Sequence, residues 1–150
     1  MNGPDQQLWF ASVLEHSLDA VFLTRPNGEI LYANPAACEL FGYSLPELQV
    51  LGRSAIVDVS DPRLPDALEQ RARTGTFSGT LRMLRRDGLA FPAEISSSIF
   101  RDPSGEDRTS TFVRDISEQE EREATLRTAN QELAGALAEV RRLQGMRPGR

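Results

Sequence analysis

The apolar positions near the start of the chain follow two different periods. From Leu8 to Leu18 they recur at helical spacing, which predicts a short amphipathic helix. Ala20–Thr24 is then almost continuously apolar, as in a buried strand, and Glu29–Ala33 has the pattern of a return strand. Pro26-Asn27-Gly28 between them is a strong turn signal. This part of the chain therefore predicts a helix followed by a β-hairpin.

Capping residues mark three short helices after the hairpin. Asn34 is placed as the N-cap of the first helix, and Gly42 is placed to end it in a left-handed conformation. Ser44 and Glu47 have the spacing of a capping box, which predicts a second helix there. Residues 61–74 carry apolar positions at helical spacing and are followed by glycine, so they form the third candidate.

The second half of the chain changes to the period of a β-sheet. Thr76–Arg86 and Leu89–Phe100 flank Asp87-Gly88, a sequence typical of a tight hairpin. A further strand is predicted over Arg108–Ile116. Two strands, a group of short helices and a three-stranded meander make the fold class α+β.

A long helix is predicted from Ser117 to Leu143. Ser117 and Glu120 have capping-box spacing, and acidic residues cluster in its first turns, as the helix macrodipole favours. Apolar residues recur along it every seven positions, which predicts a parallel coiled-coil dimer; the alternative is an amphipathic helix packed along its own domain. The expected dimer seam is Leu126, Leu133, Leu137 and Val140.

Two heptad frames fit the stripe of Leu126, Leu133 and Val140, which recur every seven positions. One pairs it with Ala129, Ala136 and Leu143, and the other pairs it with Asn130 and Leu137. In the second frame a buried Asn130 would fix the register of the two helices. The apolar residues of the N-terminal helix are expected to contribute to the dimer as well.

Composition excludes several classes of protein. A net charge of −5 argues against a nucleic-acid partner, because no positive field attracts phosphates. No apolar run reaches the ~20 residues that span a bilayer, and the polar N-terminus lacks the pattern of a signal peptide. The single cysteine excludes an internal disulfide and fits a reducing compartment. We therefore expect a cytoplasmic protein that does not insert into membranes.

Six stretches follow one another in a characteristic order and spacing: Pro26–Ala37, Leu40–Ser44, Leu48–Arg53, Arg86–Gly88, Phe91–Ser96 and Arg114–Glu118. Together they resemble the PAS domain family across roughly residues 8–120. The resemblance implies a five-stranded antiparallel sheet of order 2-1-5-4-3 with helices over one face. It also implies a sensory domain at 18–117, flanked by the N-terminal helix at 1–17, a signalling helix at 118–145 and a tail at 146–150.

The chain offers little for catalysis or for the chromophores of this family. His16 is its only histidine, so a histidine-based triad or multi-histidine metal site is not expected. Haem-binding members carry an axial histidine on the helix before the third strand, and 61–74 contains none. Light-sensing flavin members place their cysteine between an asparagine and an arginine on a different helix from Cys38. We expect no enzyme activity, metal, haem or covalently linked flavin, and Cys38 is expected to be a small buried hydrophobe rather than a redox sensor.

A small-molecule pocket between sheet and helices is one interpretation of the remaining apolar residues, and a fully packed core is the other. A small apolar ligand is the expected occupant of such a pocket. Apolar alternation and the geometry of the family together give the candidate lining as Leu31, Cys38, Phe41, Leu81, Met83, Phe91, Ile95 and Phe112.

The resemblance implies a sensory input module of a sensor histidine kinase or diguanylate-cyclase regulator. In this interpretation the sheet shifts and changes the angle or register of the C-terminal helix, which acts on a downstream output domain. The expected signal junction is Asp115, Ile116 and Ser117, between the last strand and that helix. The alternative is a dimerisation or protein-interaction domain that binds no ligand.

Overall fold

The computed structural model describes residues 3–145. The chain divides into two compact units, Met1–Ile116 and Ser117–Arg150. No helix within residues 3–145 is long and apolar enough to cross a membrane. The predicted tail at 146–150 lies outside the described residues. The elements are α1 Gly3–His16, β1 Ala20–Thr24, β2 Ile30–Ala33, α2 Pro35–Phe41, α3 Leu45–Leu51, a 3-10 turn Arg53–Ala55, α4 Leu64–Thr74, β3 Thr76–Leu84, β4 Ala90–Arg101, β5 Asp107–Asp115 and α5 Ser117–Gly145.

The five strands form one antiparallel sheet in the order β2-β1-β5-β4-β3. This confirms the strand order that the family resemblance implied. β5 is last along the chain but lies at the centre of the sheet, paired on one side with β1 and on the other with β4. The central strand therefore leads directly into α5, since only Ile116 separates them.

One face of the sheet carries the core. Alternate residues of each strand, such as Phe22, Ile95 and Val113, are buried with residues from α2, α3 and α4. The Phe41 ring lies 5.5 Å from that of Phe22 and 5.7 Å from that of Phe91, measured between centroids. Since successive residues of a strand point to opposite faces, this alternation places the three short helices over the same side.

Asn34 joins three elements at the start of α2. Its side-chain oxygen accepts hydrogen bonds from the backbone NH groups of Ala37 (3.0 Å) and Val21 (2.9 Å). Its amide nitrogen donates to the carbonyl oxygens of Leu14 (2.9 Å) and Asp19 (3.0 Å). The predicted N-cap is confirmed, and it also ties the end of α1 to β1.

The third helix begins later than predicted, at Leu64 rather than Asp61. The Asp61 side chain is buried and accepts hydrogen bonds from the backbone NH and guanidinium of Arg63 and from the backbone NH of Arg82 (2.8 Å). These bonds anchor the segment before α4 to β3. Because the Asp61 carboxylate oxygens accept these hydrogen bonds, the backbone around Asp61 forms a turn, and the helix begins only after it.

The second hairpin is wider than its Asp87-Gly88 sequence predicted. β3 ends at Leu84 and β4 begins at Ala90, and the backbone NH of Arg85 donates to the carbonyl oxygen of Leu89 (3.0 Å). Gly88 adopts a φ of 86°, a left-handed conformation in which an L side chain is strained. The connection is therefore a loop closed by a glycine, and the strands are shorter at this end.

Candidate ligand site and signal junction

A cavity of about 70 Å³ lies between the core face of the sheet and α4. Most of its wall is apolar, but three of the five strands and two helical segments also bring polar groups to it. The apolar lining includes Phe22, Ile30, Ile56, Val57, Leu64, Phe77, Leu81, Met83, Ile95 and Val113. The polar lining is Thr24, Arg53, Arg71, Ser97 and Thr111.

The structure brings part of the predicted lining together. Leu81, Met83 and Ile95 line the cavity. Phe41 and Phe91 belong to the neighbouring core cluster and do not reach the cavity wall. The predicted lining therefore combines residues from one side of the cavity with aromatic residues that belong to the core.

Three other predicted residues lie elsewhere. Phe112 follows Thr111 on β5, and since strand side chains alternate, it projects from the opposite face of the sheet and is 44% exposed. Leu31 follows the cavity residue Ile30 on β2 and does not line the cavity, for the same reason. Cys38 is half-buried on α2 and packs against the core cluster. The alternation of each strand corrects the positions of Leu31 and Phe112.

Two arginines in the cavity wall were missed from the sequence. The Arg71 side chain is buried, with 8% of the residue exposed, and donates to the carbonyl oxygen of Pro26 (3.2 Å) and to the Ser97 hydroxyl (3.4 Å). The half-buried Arg53 donates to the same Pro26 oxygen (3.5 Å). A signal for Arg71 was present, because it lies four and seven positions after the buried Ala67 and Leu64 on α4. Arginine is usually taken as a surface residue, and that masked the pattern.

Burial lowers the pKa of both guanidinium groups, and the charge of Arg53 lowers the pKa of Arg71 further. Within the described part of the chain neither group forms an ion pair with a carboxylate, whereas Arg63 pairs with Asp61 and Arg85 with Asp115. The Nε atom of Arg71 is buried and has no hydrogen-bond partner. The cavity therefore holds positive charge that the surrounding protein leaves uncompensated.

The predicted signal junction is held by Arg85. One nitrogen of its guanidinium donates to the Asp115 carboxylate (2.7 Å), and another donates to the carbonyl oxygen of Leu40 at the end of α2 (2.9 Å). The same guanidinium lies 4.7 Å from the centre of the Phe91 ring. The buried Ile116 donates its backbone NH to the carbonyl oxygen of Pro92 (3.1 Å). Asp115 is thus connected to α2, to the loop after β3 and to β4, immediately before α5 begins at Ser117.

The remaining candidate residues have simpler surroundings. His16 is exposed on α1, where its ring nitrogen Nδ1 donates to the carbonyl oxygen of Ser12 (2.9 Å). Burial raises the pKa of the Cys38 thiol. No group of three or more histidine, cysteine or acidic residues within residues 3–145 is arranged to hold a metal ion. Neither residue adds a reactive group to the cavity.

The predicted seam lies on the exposed surface of α5. Leu126, Leu133, Leu137 and Val140 are 49–62% exposed in the isolated chain. On α1 the four apolar residues Leu8, Trp9, Phe10 and Val13 are 58–73% exposed. Both predicted helices are present, and within the described residues the apolar stripe of each is largely exposed.

A five-stranded antiparallel sheet in this order, with short helices over a small cavity, defines an α+β domain built on a single sheet. Sequence comparison then gives the family, because the profile described as "PAS domain" matches residues 18–118. The chain belongs to the PAS domain family. This is consistent with a sensory input module of signalling proteins.

Two curated relatives are similar to the chain over most of its length. It is 32% identical over 143 residues to "Sensor protein FixL" of Bradyrhizobium diazoefficiens, covering 90% of this chain and 27% of that protein. It is 30% identical over 111 residues to "Nitrogen fixation regulatory protein" of Klebsiella oxytoca, covering 72% of this chain and 22% of that protein. The chain therefore spans about a quarter of the length of these relatives.

The crystal structure supports the fold. It is described as a PAS domain from a two-component sensor histidine kinase and matches with a TM-score of 0.64 at 22% identity. The match covers 75% of this chain and 99% of that one.

Proposed function

We propose that this chain is the sensory input module of a larger signal-transduction protein, in which occupancy of the cavity is transmitted through β5 to α5. The observation that carries the proposal is the position of β5. Thr111 and Val113 of this strand line the cavity, and Asp115 ends it directly before α5. A ligand that moves β5 therefore acts on the residues that precede the helix.

Hydrogen bonds supply a route from α4 to β5. Arg71 on α4 donates to the Ser97 hydroxyl on β4, and this hydroxyl lies 3.0 Å from the Thr111 hydroxyl on β5. Four residues further along β5, Asp115 binds Arg85. A change in the position of α4 thus reaches the central strand through polar contacts that have defined geometry.

The output is proposed to lie in the part of the parent protein outside this chain. The relatives are named a sensor protein and a nitrogen fixation regulatory protein, and they are about four times as long as the matched region. We propose a sensor histidine kinase or a diguanylate-cyclase regulator as the parent, with α5 pairing as a parallel dimer that drives its output domain. PAS domains are sensory rather than catalytic, so the module itself has no enzyme role. The single unpaired cysteine supports a cytoplasmic location.

The second candidate is a dimerisation or protein-interaction domain that binds no ligand. The exposed apolar stripes of α1 and α5 favour it, since burial of such residues drives association. It requires no cavity and no movement of β5. The two candidates differ in whether a small molecule changes the junction.

Ligand screening followed by hydrogen exchange separates the two candidates. A compound that binds the native state raises the unfolding temperature by mass action. In the sensory candidate it also changes amide exchange across 109–120, from the cavity residues of β5 into α5. Stabilisation without any change at 109–120 would rule out transmission through β5. A broad screen without any stabilising compound would favour the interaction domain.

A further inference from the structure

The uncompensated charge of the cavity identifies the class of ligand. Arg71 and Arg53 both donate to the single carbonyl oxygen of Pro26, so their guanidinium groups converge on one end of the cavity. A buried charge is costly unless an opposite charge or strong hydrogen bonds offset it. The backbone oxygen and the Ser97 hydroxyl are neutral, and the Nε–H of Arg71 has no acceptor at all. An anion would supply both the missing charge and the missing acceptor.

The turn before β2 is shaped to hold Arg53 in this position. Gly28 has a φ of 99°, and a Cβ atom built on it would lie 3.0 Å from the Cζ of Arg53. Its carbonyl oxygen accepts a hydrogen bond from the backbone NH of Arg53 (2.9 Å). Any larger residue at Gly28 would strain the backbone and displace the guanidinium of Arg53. The pair of arginines is therefore a built feature of the cavity and not a chance approach of two surface side chains.

Size and chemistry of the remaining wall select the anion. A volume of about 70 Å³ is roughly half that of a cavity that binds benzene. Most of the wall apart from the arginines is apolar, with Phe77 and Ile95 among its residues. A phosphate or sulfate would turn polar oxygens toward this wall, whereas a carboxylate has one polar end that matches the planar fork of a guanidinium.

We propose that the cavity binds a short-chain carboxylate such as acetate or propionate. The carboxylate lies on Arg71 and Arg53, and the alkyl chain lies against the apolar wall. This inference deepens the proposed function, because it rests on the cavity being the sensory site, and it replaces the purely apolar ligand that the sequence suggested. The carboxylate accepts the Nε–H of Arg71, the residue that begins the hydrogen-bond route to β5.

The test is a titration of the whole chain with sodium propionate, in which sodium chloride keeps the ionic strength constant. Binding is monitored through the NMR signal of the Arg71 Nε–H group. Saturable shifts are expected with propionate. Propanamide has the same shape without the charge and is expected to bind at least about tenfold more weakly, as is usual when a charged hydrogen bond is lost. Inorganic phosphate is expected to produce no saturable shift.

Two arginines of α4 give a matched pair of variants. Arg71→Met is expected to abolish the propionate-dependent rise in unfolding temperature. Arg73→Met removes an exposed arginine of the same helix and is expected to leave that rise unchanged. If Arg71→Met fails to fold, Arg71→Lys keeps a charge but loses the planar fork, and at least tenfold weaker binding is expected.

Three results would overturn the proposal that the ligand is a carboxylate. These are equal binding of propionate and propanamide, the absence of saturable shifts in the wild type, and undiminished propionate binding by a folded Arg71 variant. A neutral compound that stabilises the domain independently of Arg71 and alters exchange at 109–120 would also overturn it, while leaving the sensory function intact. Saturable propionate binding without a change in amide exchange at 109–120 would support the carboxylate ligand but contradict the proposed sensory function.

Discussion

At the scale of the residue, Asn34 shows how one side chain can specify a junction. Its amide is fully buried, and its two donor and two acceptor positions are all occupied. No other side chain has the same shape with donors on one side and an acceptor on the other. The orientation of α1 relative to β1 and α2 therefore depends on this amide.

Asn34→Asp is expected to lower the free energy of unfolding by about 2–4 kcal/mol. The change places a carboxylate oxygen against the carbonyl oxygens of Leu14 and Asp19, which leaves buried acceptors without donors. Asn27→Asp is the matched control, because Asn27 lies in an exposed turn and uses only its side-chain oxygen as an acceptor, for the NH of Glu29. Urea unfolding measures both variants. Equal losses would show that the Asn34 amide has no special role.

Asp115 is the residue through which we expect input and output to be coupled. Asp115→Ala removes its bond to Arg85, and because both side chains are partly exposed, the expected loss of stability is only about 1 kcal/mol. In a full-length parent, the output activity is expected to stop responding to the input. Asp107→Ala, at the other end of β5, removes a longer pair with Arg101 (3.8 Å) and is expected to preserve the response.

Loss of the cooperative thermal transition in Asp115→Ala would show that Asp115 is needed for folding itself. A normal response in the folded variant would exclude it from the junction.

Cys38 is expected to react slowly with thiol reagents. Burial raises its pKa above the ordinary value, so less thiolate is present in the folded protein at a given pH, and the thiolate is the nucleophile. At pH 8 a disulfide reagent is expected to modify the native protein at least about tenfold more slowly than the urea-unfolded chain. The midpoint of the rate against pH is expected above the roughly 8.5 of a free cysteine. A midpoint below this value would indicate a redox-active thiol.

At the scale of the element, α4 depends on a carboxylate that precedes it. Hydrogen bonds from the Arg63 side chain hold the pKa of Asp61 well below its usual range, and backbone NH groups contribute in the same direction. A pKa that is lower in the folded state than in the unfolded state gives stability above the unfolded value of about 3.9. That stability is lost as the pH falls toward the folded pKa. The beginning of α4, which carries Arg71, is therefore expected to be sensitive to acid.

Asp61→Asn is expected to destabilise the protein at pH 7 by about 1–3 kcal/mol, because a charged acceptor of several donors is removed. The difference between variant and wild type is expected to shrink as the pH falls below about 4. Asp66→Asn, exposed in the first turn of the same helix, is the control and is expected to cost only a few tenths of a kcal/mol. A pH-independent loss in Asp61→Asn would contradict the electrostatic explanation.

At the scale of the whole molecule, we expect a second copy of the chain to cover the exposed stripes of α1 and α5. Burying one leucine is worth about 1.5–3 kcal/mol, and a single copy leaves Leu126, Leu133, Leu137 and Val140 in water. Two parallel α5 helices would bury these residues against each other. They would also place both exits side by side, where a paired output domain could detect their relative motion.

Leu133→Glu is expected to convert a dimer to a monomer while the PAS domain stays folded, since it sets like charges against each other in the seam. Gln131→Glu adds the same charge two positions away, outside the predicted seam, and is expected to remain dimeric. Light scattering at tens of micromolar with a thermal melt measures assembly and folding together. A monomeric wild type, or a dimeric Leu133→Glu, would contradict the coiled-coil arrangement.

Local signals in the sequence determined much of the fold. β1, the caps of α2 and the capping box of α3 follow from residues within a few positions of one another, such as Ser44 and Glu47. These interactions form as soon as the backbone turns, so sequence spacing is enough to predict them. The order of the strands came from the resemblance to a family, because pairing of β1 with β5 joins segments about 90 residues apart and no local pattern encodes it.

The tertiary structure alone decided the site. Arg71 and Pro26 are 45 positions apart in sequence, and only the packing of α4 on the sheet brings the guanidinium to that carbonyl oxygen. The pattern of α4 marks Arg71 as a position on its buried stripe, but it does not identify the groups that the guanidinium contacts there. Phe112 and Val113 are both apolar, and only the pairing register assigns Val113 to the cavity side of the sheet and Phe112 to the opposite face. Burial, charge balance and cavity volume are properties of segments that meet across the fold, so they arise only when those segments are in place.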